Sequence, residues 1–584
     1  MRTNGLSPKH LGHSPTSENL NGPLTYIYKP LQSAQHTRLL RVPASSITPA
    51  GQSLDSQSKL SDQEQYELVH VSLATCRIPY QAVSYVWGNN TRDHSIKING
   101  QRSLPITKTL ATALPQLIDI CSTSYLWIDQ ICIDQSNDQE RGQQVSIMGE
   151  IFSNATEVLI WTGGELDGLS EMKTQLARPD GLNWSHIETL VELHCRPWFS
   201  RGWTVQEAVL AKKATLIAGT SLLPLEDVEQ AWRKKNNLYS KDQLDRSEIG
   251  RRSLEVIMAL RKRVSAPLLD SGFDGVLNSL GNIQTSDPRD HVYAFLGIKQ
   301  DPRIIIRPDY NASTSEVFSD AARAIIEGTG SLSCFRFLPL SQRPESFALP
   351  SWVPDWSRNN NAGGIVQDPA LESSLGHKPF KAAKEFRHKL RTSTSPVDIL
   401  LVSGHIIDFV ELRIPSLWRL VRDTIYRKPE EAVATPPRFF SLTDEQIVNI
   451  DSGALTDVTQ NLRKRLMSVL VAGRIDVEEI LTKYEKGHQD DPHSDEGLSL
   501  SFQLYNLSHH EVWITRSKKL ALIPPTRCEK GDMLAIVHGS ITPLLLRNSG
   551  NGNYSMGGQC YLENAMFGEA VTWEEDQADI LPLA

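Results

Sequence analysis

Long apolar runs are missing from this 584-residue chain. Nothing approaches the roughly 18 residues that would cross a bilayer, so no membrane span is expected. The opening residues (MRTNGLSPKHLGHSPTSENLNG) hold no apolar core, which argues against a secretory leader. Cysteine is scarce too. The seven (Cys76, Cys121, Cys132, Cys195, Cys334, Cys528 and Cys560) include no CxxC pair, and no His stands near them at zinc-ligand spacing. A disulfide scaffold and a structural metal are thereby excluded, and a reducing, cytoplasmic setting is expected. A block of positive charge is also absent: 60 Lys+Arg stand against 68 Asp+Glu, a net charge of -8. That balance excludes general nucleic-acid binding. Finally, there is no GxxxxGK[ST], HExxH, GxSxG or GxGxxG. The Gly550–Gly552 cluster lacks a third glycine and the strand–helix setting that such a loop requires.

What is present is an ordinary globular composition, 40% hydrophobic and 22% charged. Residues 1–64, rich in Ser, Pro, Gln and Asn, read as a loose leader with short apolar islands near Tyr26–Leu31 and Leu39–Val42. From Tyr66 the texture changes. Tyr66–Leu73 and Tyr80–Trp87 alternate as strands do, and Thr107–Cys121 has helical spacing, with Leu110, Leu114, Leu117 and Ile118 on one face. Tyr125–Ile133 reads as a buried strand. Ser136 with Gln139 reads as a capping box opening a helix that buries Val145, Met148, Ile151 and Phe152. Glu157–Trp161 and Ala214–Gly219 are further strands, with a short helix at Trp203–Ala211 between them. Strands alternating with helices at these intervals predict an α/β domain over 65–224, a mostly parallel sheet flanked by helices. A mainly helical region (225–357) and linker segments (358–510) follow. The linkers hold a strand pair around Gly404, a Pro/Glu/Ala-rich stretch near Lys428–Pro437 and a helix-then-acidic run ending near Gly497. A small β-rich module (511–584) closes the chain.

Six of the 12 tryptophans (Trp87, Trp127, Trp161, Trp184, Trp198 and Trp203) lie within residues 80–210. Core packing accounts for such residues; an aromatic-walled pocket is the alternative, with Trp87 and Trp203 its best candidates. Asp134, with Gln135, stands at the C-terminal end of an expected parallel strand, where open α/β sheets take their ligands. Asp129, nearer mid-strand, reads as buried and hydrogen-bonded to a backbone amide or to Arg141. Cys132 has no nearby His in the α/β region except His94, and nothing marks its thiol as activated. Asp287, Arg289, Asp290 and Tyr293 read as a turn and helix start that anchors the helical middle.

Three segments, YQAVSYVWG (Tyr80–Gly88), LWIDQICIDQSNDQERGQQVSIMGEIFSNATEVLIWTG (Leu126–Gly163) and RPWFSRGWTVQEAVLAKKATLIAG (Arg196–Gly219), resemble the signature blocks of the fungal heterokaryon incompatibility (HET) domain, in the family's order. SDPRDHVYAFLGI, PDY, LPSWVPDWS and two tail blocks extend the likeness. Gln130, Asp134 and Gly202 depart from the family's usual residues. HET domains are in turn similar to TIR domains, which have a flavodoxin-like parallel sheet and in several lineages cleave NAD. The resemblance implies self/non-self recognition and cell-death signalling, with protein partners or a homo-oligomer. It also implies Glu207 as the catalytic residue, preceded on its helix by Trp203, with Ser84 and Tyr85 at the pocket mouth. NAD would be a substrate rather than a tightly bound cofactor. The chemistry is self-consistent, because nicotinamide leaves as a neutral molecule and one carboxylate can stabilise the oxocarbenium-like centre. Arg201 or Arg141 would meet the pyrophosphate. The competing reading is a non-catalytic signalling module in which Glu207 only holds the fold; a hydrolase built on Asp129 or Asp134 ranks below both.

Overall fold

Leu39 and Leu40 are fully buried in a strand, β1 (His36–Arg41), that lies inside the stretch expected to be a loose leader. The computed structural model describes residues 25–42, 66–99, 102–176, 184–235, 240–264, 272–280, 283–298, 301–338, 348–358, 380–388, 398–414, 465, 510–523 and 528–584. They fall into two units: Met1–Val83 with Trp87–Gln135, and Ser84–Val86 with Ser136–Ala584.

The first unit contains β1, β2 (Glu67–Ser72), most of β3 (Gln81–Tyr85), β4 (His94–Ile98), β5 (Arg102–Ile106), helix α1 (Lys108–Ile120), β6 (Tyr125–Trp127) and the one-turn helix α2 (Asp129–Cys132). Its strands run in the order β2-β1-β6-β3. β1 is antiparallel to both neighbours, and β3 is parallel to β6. The apolar island of the leader near Leu39–Val42 is therefore docked as a sheet strand. Thr37 accepts a hydrogen bond from Trp127 Nε1 (3.0 Å), and the fully buried Arg38 donates to Cys132 O (3.0 Å). The antiparallel pair β4–β5 was not foreseen.

The expected strand at Tyr125–Ile133 is corrected: it ends at Trp127, and α2 follows. An apolar run of this length is buried in either conformation, so burial alone could not decide. Local polar chemistry favours the turn. Asp129 Oδ1 accepts from Gln130 N (2.7 Å), and Gln130 Oε1 accepts from Thr107 N (2.8 Å) at the cap of α1. The expected capping box is corrected to a single cap one residue on, where Asn137, not Ser136, accepts from Glu140 N (3.1 Å).

The second unit opens with α3 (Asp138–Asn154), β7 (Glu157–Trp161), α4 (Leu169–Leu176), α5 (Trp184–His194), α6 (Gly202–Leu210), β8 (Ala214–Ala218) and β9 (Ser221–Pro224). Val145, Met148, Ile151 and Phe152 are buried on α3, as their spacing predicts. The end of β3, with Ser84 and Tyr85, lies next to β7, followed by β8 and β9. β7 and β8 are parallel, while β8 and β9 are antiparallel. The sheet is thus mixed: the pairs at its centre, β6–β3 and β7–β8, are parallel as expected, and the strands toward its edges are antiparallel. Only Gly219 (φ 54) and Thr220 join β8 to β9, and so short a turn cannot make the crossover that parallel strands need.

Helices α7 (Leu225–Lys235), α8 (Lys241–Val264), α9 (Phe273–Ser279), α10 (Asp290–Tyr293) and α11 (Thr314–Thr329) make the middle region helical, as expected. α11 carries a full capping box between Ser313 and Glu316 and ends on Gly330 at φ 68. The β-rich part comprises β10 (Leu400–Arg413), β11 (Glu511–Thr515), β12 (Leu520–Ile523), β13 (Met533–Val537), β14 (Leu544–Gly550), β15 (Asn553–Gln559), β16 (Tyr561–Leu562) and β17 (Asp579–Leu583). Their order is β13-β14-β15-β17-β10-β11-β12-β16, and β13 also pairs with β10, so five strands close on themselves. The expected strand pair around Gly404 is one continuous strand. Gly404 is required there by close approach: a Cβ would collide with the backbone of Ile536 on β13. The β-rich part consequently begins at Leu400, inside the expected linker. The Lys428–Pro437 stretch and the run ending near Gly497 lie outside the described residues.

Candidate functional site

Ser84 stands at the C-terminal end of β3, every residue of which is buried. Its hydroxyl donates to Glu207 Oε2 and accepts from Trp198 Nε1 (2.8 Å). Trp198 is placed by the 3-10 turn Pro197–Ser200, which begins just after Arg196 with proline in its first position. Helix α6 then starts at Gly202; Thr204 Oγ1 donates back to Arg201 O (2.7 Å) and Trp198 O (2.9 Å), tying turn to helix. Ser84, Trp198 and Glu207 are 0%, 1% and 6% exposed, so this is an enclosed cluster rather than an open cleft. A buried carboxylate requires such polar company, because desolvating it alone is costly.

The other expected site residues are dispersed. Trp203, one turn before Glu207, donates instead to Asp290 Oδ2 (3.0 Å). Arg201 donates to Tyr85 O (2.9 Å). Arg141 pairs with Asp138 (3.0 Å) and lies 5.1 Å from the centre of the Tyr310 ring. Trp87 and Asp134 belong to the first unit, the remaining six to the second. In the first unit Trp87 Nε1 donates to Asp129 Oδ2 (2.8 Å), and Asp134 is half-buried. Asp129 takes this indole and its neighbour's amide as partners. Cys132 is fully buried, and burial pushes its thiol up to about 12, which removes it as a nucleophile. A surface cavity of about 260 Å³ between α4 and β9, lined by Ser170, Lys173, Thr220 and Ser221 among others, includes none of the expected site residues.

In sequence Trp198 is one of six clustered tryptophans, and no neighbouring motif sets it apart. The available signal was general: a buried indole N–H needs an acceptor, and Ser84 was already a candidate. Among the described residues no three His, Cys, Asp or Glu side chains come together to hold a metal ion, and no helix is long and apolar enough to cross a membrane.

Comparison with known proteins adds three findings. Residues 80–207 match the family described as Heterokaryon incompatibility protein (HET). The chain is 28% identical over 435 residues to Heterokaryon incompatibility protein 6, OR allele, of Neurospora crassa, a match covering 59% of this chain and 62% of that protein. It is 25% identical over 232 residues to Vegetative incompatibility protein HET-E-1 of Podospora anserina, covering 38% of this chain and 14% of that protein. The chain thus spans less than two thirds of either relative's length. No solved structure matches it. Ser84, Trp198 and Glu207 all fall within the matched residues, and Glu207 is the last of them.

Proposed function

Because the chain carries a HET domain at residues 80–207, we propose that it acts in heterokaryon incompatibility, as a cytoplasmic signalling protein of self/non-self recognition that leads to cell death. The family match and the names of both relatives support this reading. Protein partners or further copies of the chain would relay the signal.

At the molecular level the geometry supports a non-catalytic module best, and one observation carries that choice. Glu207 is 6% exposed, and its carboxylate accepts the hydroxyl of a fully buried serine. A substrate cannot reach a carboxylate so placed. NAD glycohydrolysis is the second reading, favoured by the place of Ser84 at the C-terminal end of β3, which runs parallel to β6. In that reaction the bond between the nicotinamide nitrogen and ribose C1′ breaks, and its electrons neutralise the pyridinium. Water adds to C1′, and a proton passes to solvent. Glu207 would stabilise the developing positive charge, and must first leave Ser84.

Expression in a fungal host, read as growth arrest, tests the signalling role, and release of nicotinamide from NAD by the purified, clustered protein separates the two forms. In the non-catalytic form wild type arrests growth, no nicotinamide appears, and Glu207→Gln arrests growth as wild type does. Nicotinamide release that disappears in a folded Glu207→Gln variant overturns that form in favour of the enzyme. Absence of growth arrest by wild type removes the incompatibility reading.

A further inference from the structure

Helix α6 is held by a chain segment that lies beyond the residues matched by the HET family. Gly202 N donates to Gln284 O (2.9 Å), and Gln284 N donates to Ser200 O (2.6 Å). One residue on, Trp203 Nε1 donates to Asp290 Oδ2 (3.0 Å). A turn later, Gln206 Oε1 accepts from Gly297 N (2.6 Å). Two of these positions are glycines in close approach to a neighbour. A Cβ at Gly202 would stand 2.8 Å from Thr285 Cγ2, and one at Gly297 would stand 2.7 Å from the Cα of Gly149 on α3.

The segment that grips α6 is itself fixed. Asp290 Oδ1 accepts from the Tyr310 hydroxyl (2.7 Å). The Tyr310 ring is held by two guanidinium groups, Arg141 at 5.1 Å and Arg289 at 5.3 Å from its centre. Arg289 is anchored in turn by Asp287 (2.6 Å) and by the carbonyls of Tyr310 (2.6 Å) and Ala312 (2.7 Å). Apolar packing would tolerate some rotation of the helix, whereas directional hydrogen bonds at three positions do not.

We infer that Gln284, Asp290 and Gly297, with Tyr310 behind them, form a clamp that sets the position of α6, with Asp290 as the positioning residue that keeps Glu207 against Ser84. This rests on the reading of the Glu207 cluster given above. Residues 203 and 207 are four apart, so they project within about 40° of each other on a rigid helix. A rotation that separates Trp203 from Asp290 must therefore carry Glu207 away from Ser84. The HET domain is then incomplete at Glu207, where the family match ends, and the clamp is the element whose release exposes the carboxylate.

Hydrogen exchange of the full chain tests this without reference to any activity. Asp290→Ala and Trp203→Phe should each speed exchange of the α6 amides Val205–Leu210 by about tenfold or more, while α5 stays as protected as in wild type. Asp290→Asn, whose amide oxygen still accepts from Trp203, should restore most of the protection. Unchanged exchange in α6 overturns the clamp. So does an equal rise in α5 and α6, because Asp290 would then support the fold at large. Should Asp290→Ala fail to fold, Trp203→Phe, which keeps an aromatic though smaller ring and loses the indole N–H, decides alone. Absence of growth arrest or of nicotinamide release bears on the proposed function and leaves the exchange result standing.

Discussion

Ser84→Ala is the most incisive perturbation of the central cluster, because it deletes one oxygen and leaves the packing in place. That oxygen donates to the Glu207 carboxylate and accepts from Trp198 Nε1, and all three side chains are buried. A hydrogen bond to a charged group contributes about 1.5–3 kcal/mol, and an indole N–H left buried without an acceptor costs about 1–3 kcal/mol. The variant should thus lose about 2.5–6 kcal/mol of stability. Glu207→Gln keeps an amide oxygen facing Ser84 and should lose only about 1 kcal/mol. Since the two side chains touch, the double variant should show a coupling of about 1–3 kcal/mol rather than simple addition. Chemical denaturation followed by tryptophan fluorescence reads this as a lowered midpoint at unchanged slope. A Ser84→Ala midpoint indistinguishable from wild type, or a strictly additive double variant, would refute the reasoning.

Other outcomes follow from other parts of the chain. Burial holds the imidazoles of His194 and His291 neutral, each pulled down to about 4 from the ordinary 6.5. Between those values the unfolded chain binds the protons, so their contribution is fully present above pH 6.5 and is lost as the pH falls toward 4. The loss is on the order of 3 kcal/mol per group by simple linkage, read as a fall in melting temperature between pH 7 and pH 4.5, and a flat profile would contradict it. Gly404→Ala should cost about 1–3 kcal/mol, because the added methyl collides with the Ile536 backbone inside the strand ring; a neutral result by calorimetry would contradict this. Deleting residues 36–42 should prevent folding, because it removes Leu39, Leu40 and the Thr37 acceptor for Trp127; circular dichroism and solubility report the loss.

The parts of the fold legible in the sequence are those where periodicity and burial agree. α1 and α3 have one apolar face each, and β2, β3, β7 and β8 alternate or are wholly apolar, so pattern alone located them. Of β1 only the apolar island near Leu39–Val42 was legible, because a strand's place in a sheet depends on partners distant in the chain. The helical turn at Asp129–Cys132 escaped because its cause, the bonding of Asp129 to the next amide and of Gln130 to Thr107, is side-chain chemistry that hydropathy does not record. Gly404 was misread for a related reason: a glycine in a strand marks either a turn or a close neighbour, and only the neighbour's position decides.

The same distinction governs the candidate site. Composition and motif could single out Ser84, Trp203 and Glu207, but not which polar atoms each would meet. Trp203 and Glu207 sit one turn apart, yet their partners are Asp290 and Ser84, from segments more than two hundred residues apart in sequence. A helix held from two sides in this way has its position set by both. The acidic residues of SDPRDHVYAFLGI are therefore more than a helix start: Asp287 orients Arg289, Arg289 and Arg141 hold the Tyr310 ring, and Tyr310 and Trp203 each donate to one oxygen of Asp290. Replacing Tyr310 by Phe removes one of those two donors while keeping the ring between its guanidinium groups. If Asp290 depends on both donors to stay in place, that single hydroxyl should loosen the Trp203 end of α6, read as a red-shifted and more quenchable indole emission. An unchanged emission in a Trp203-containing variant stripped of other half-buried tryptophans would mean that Asp290 is held by Trp203 alone.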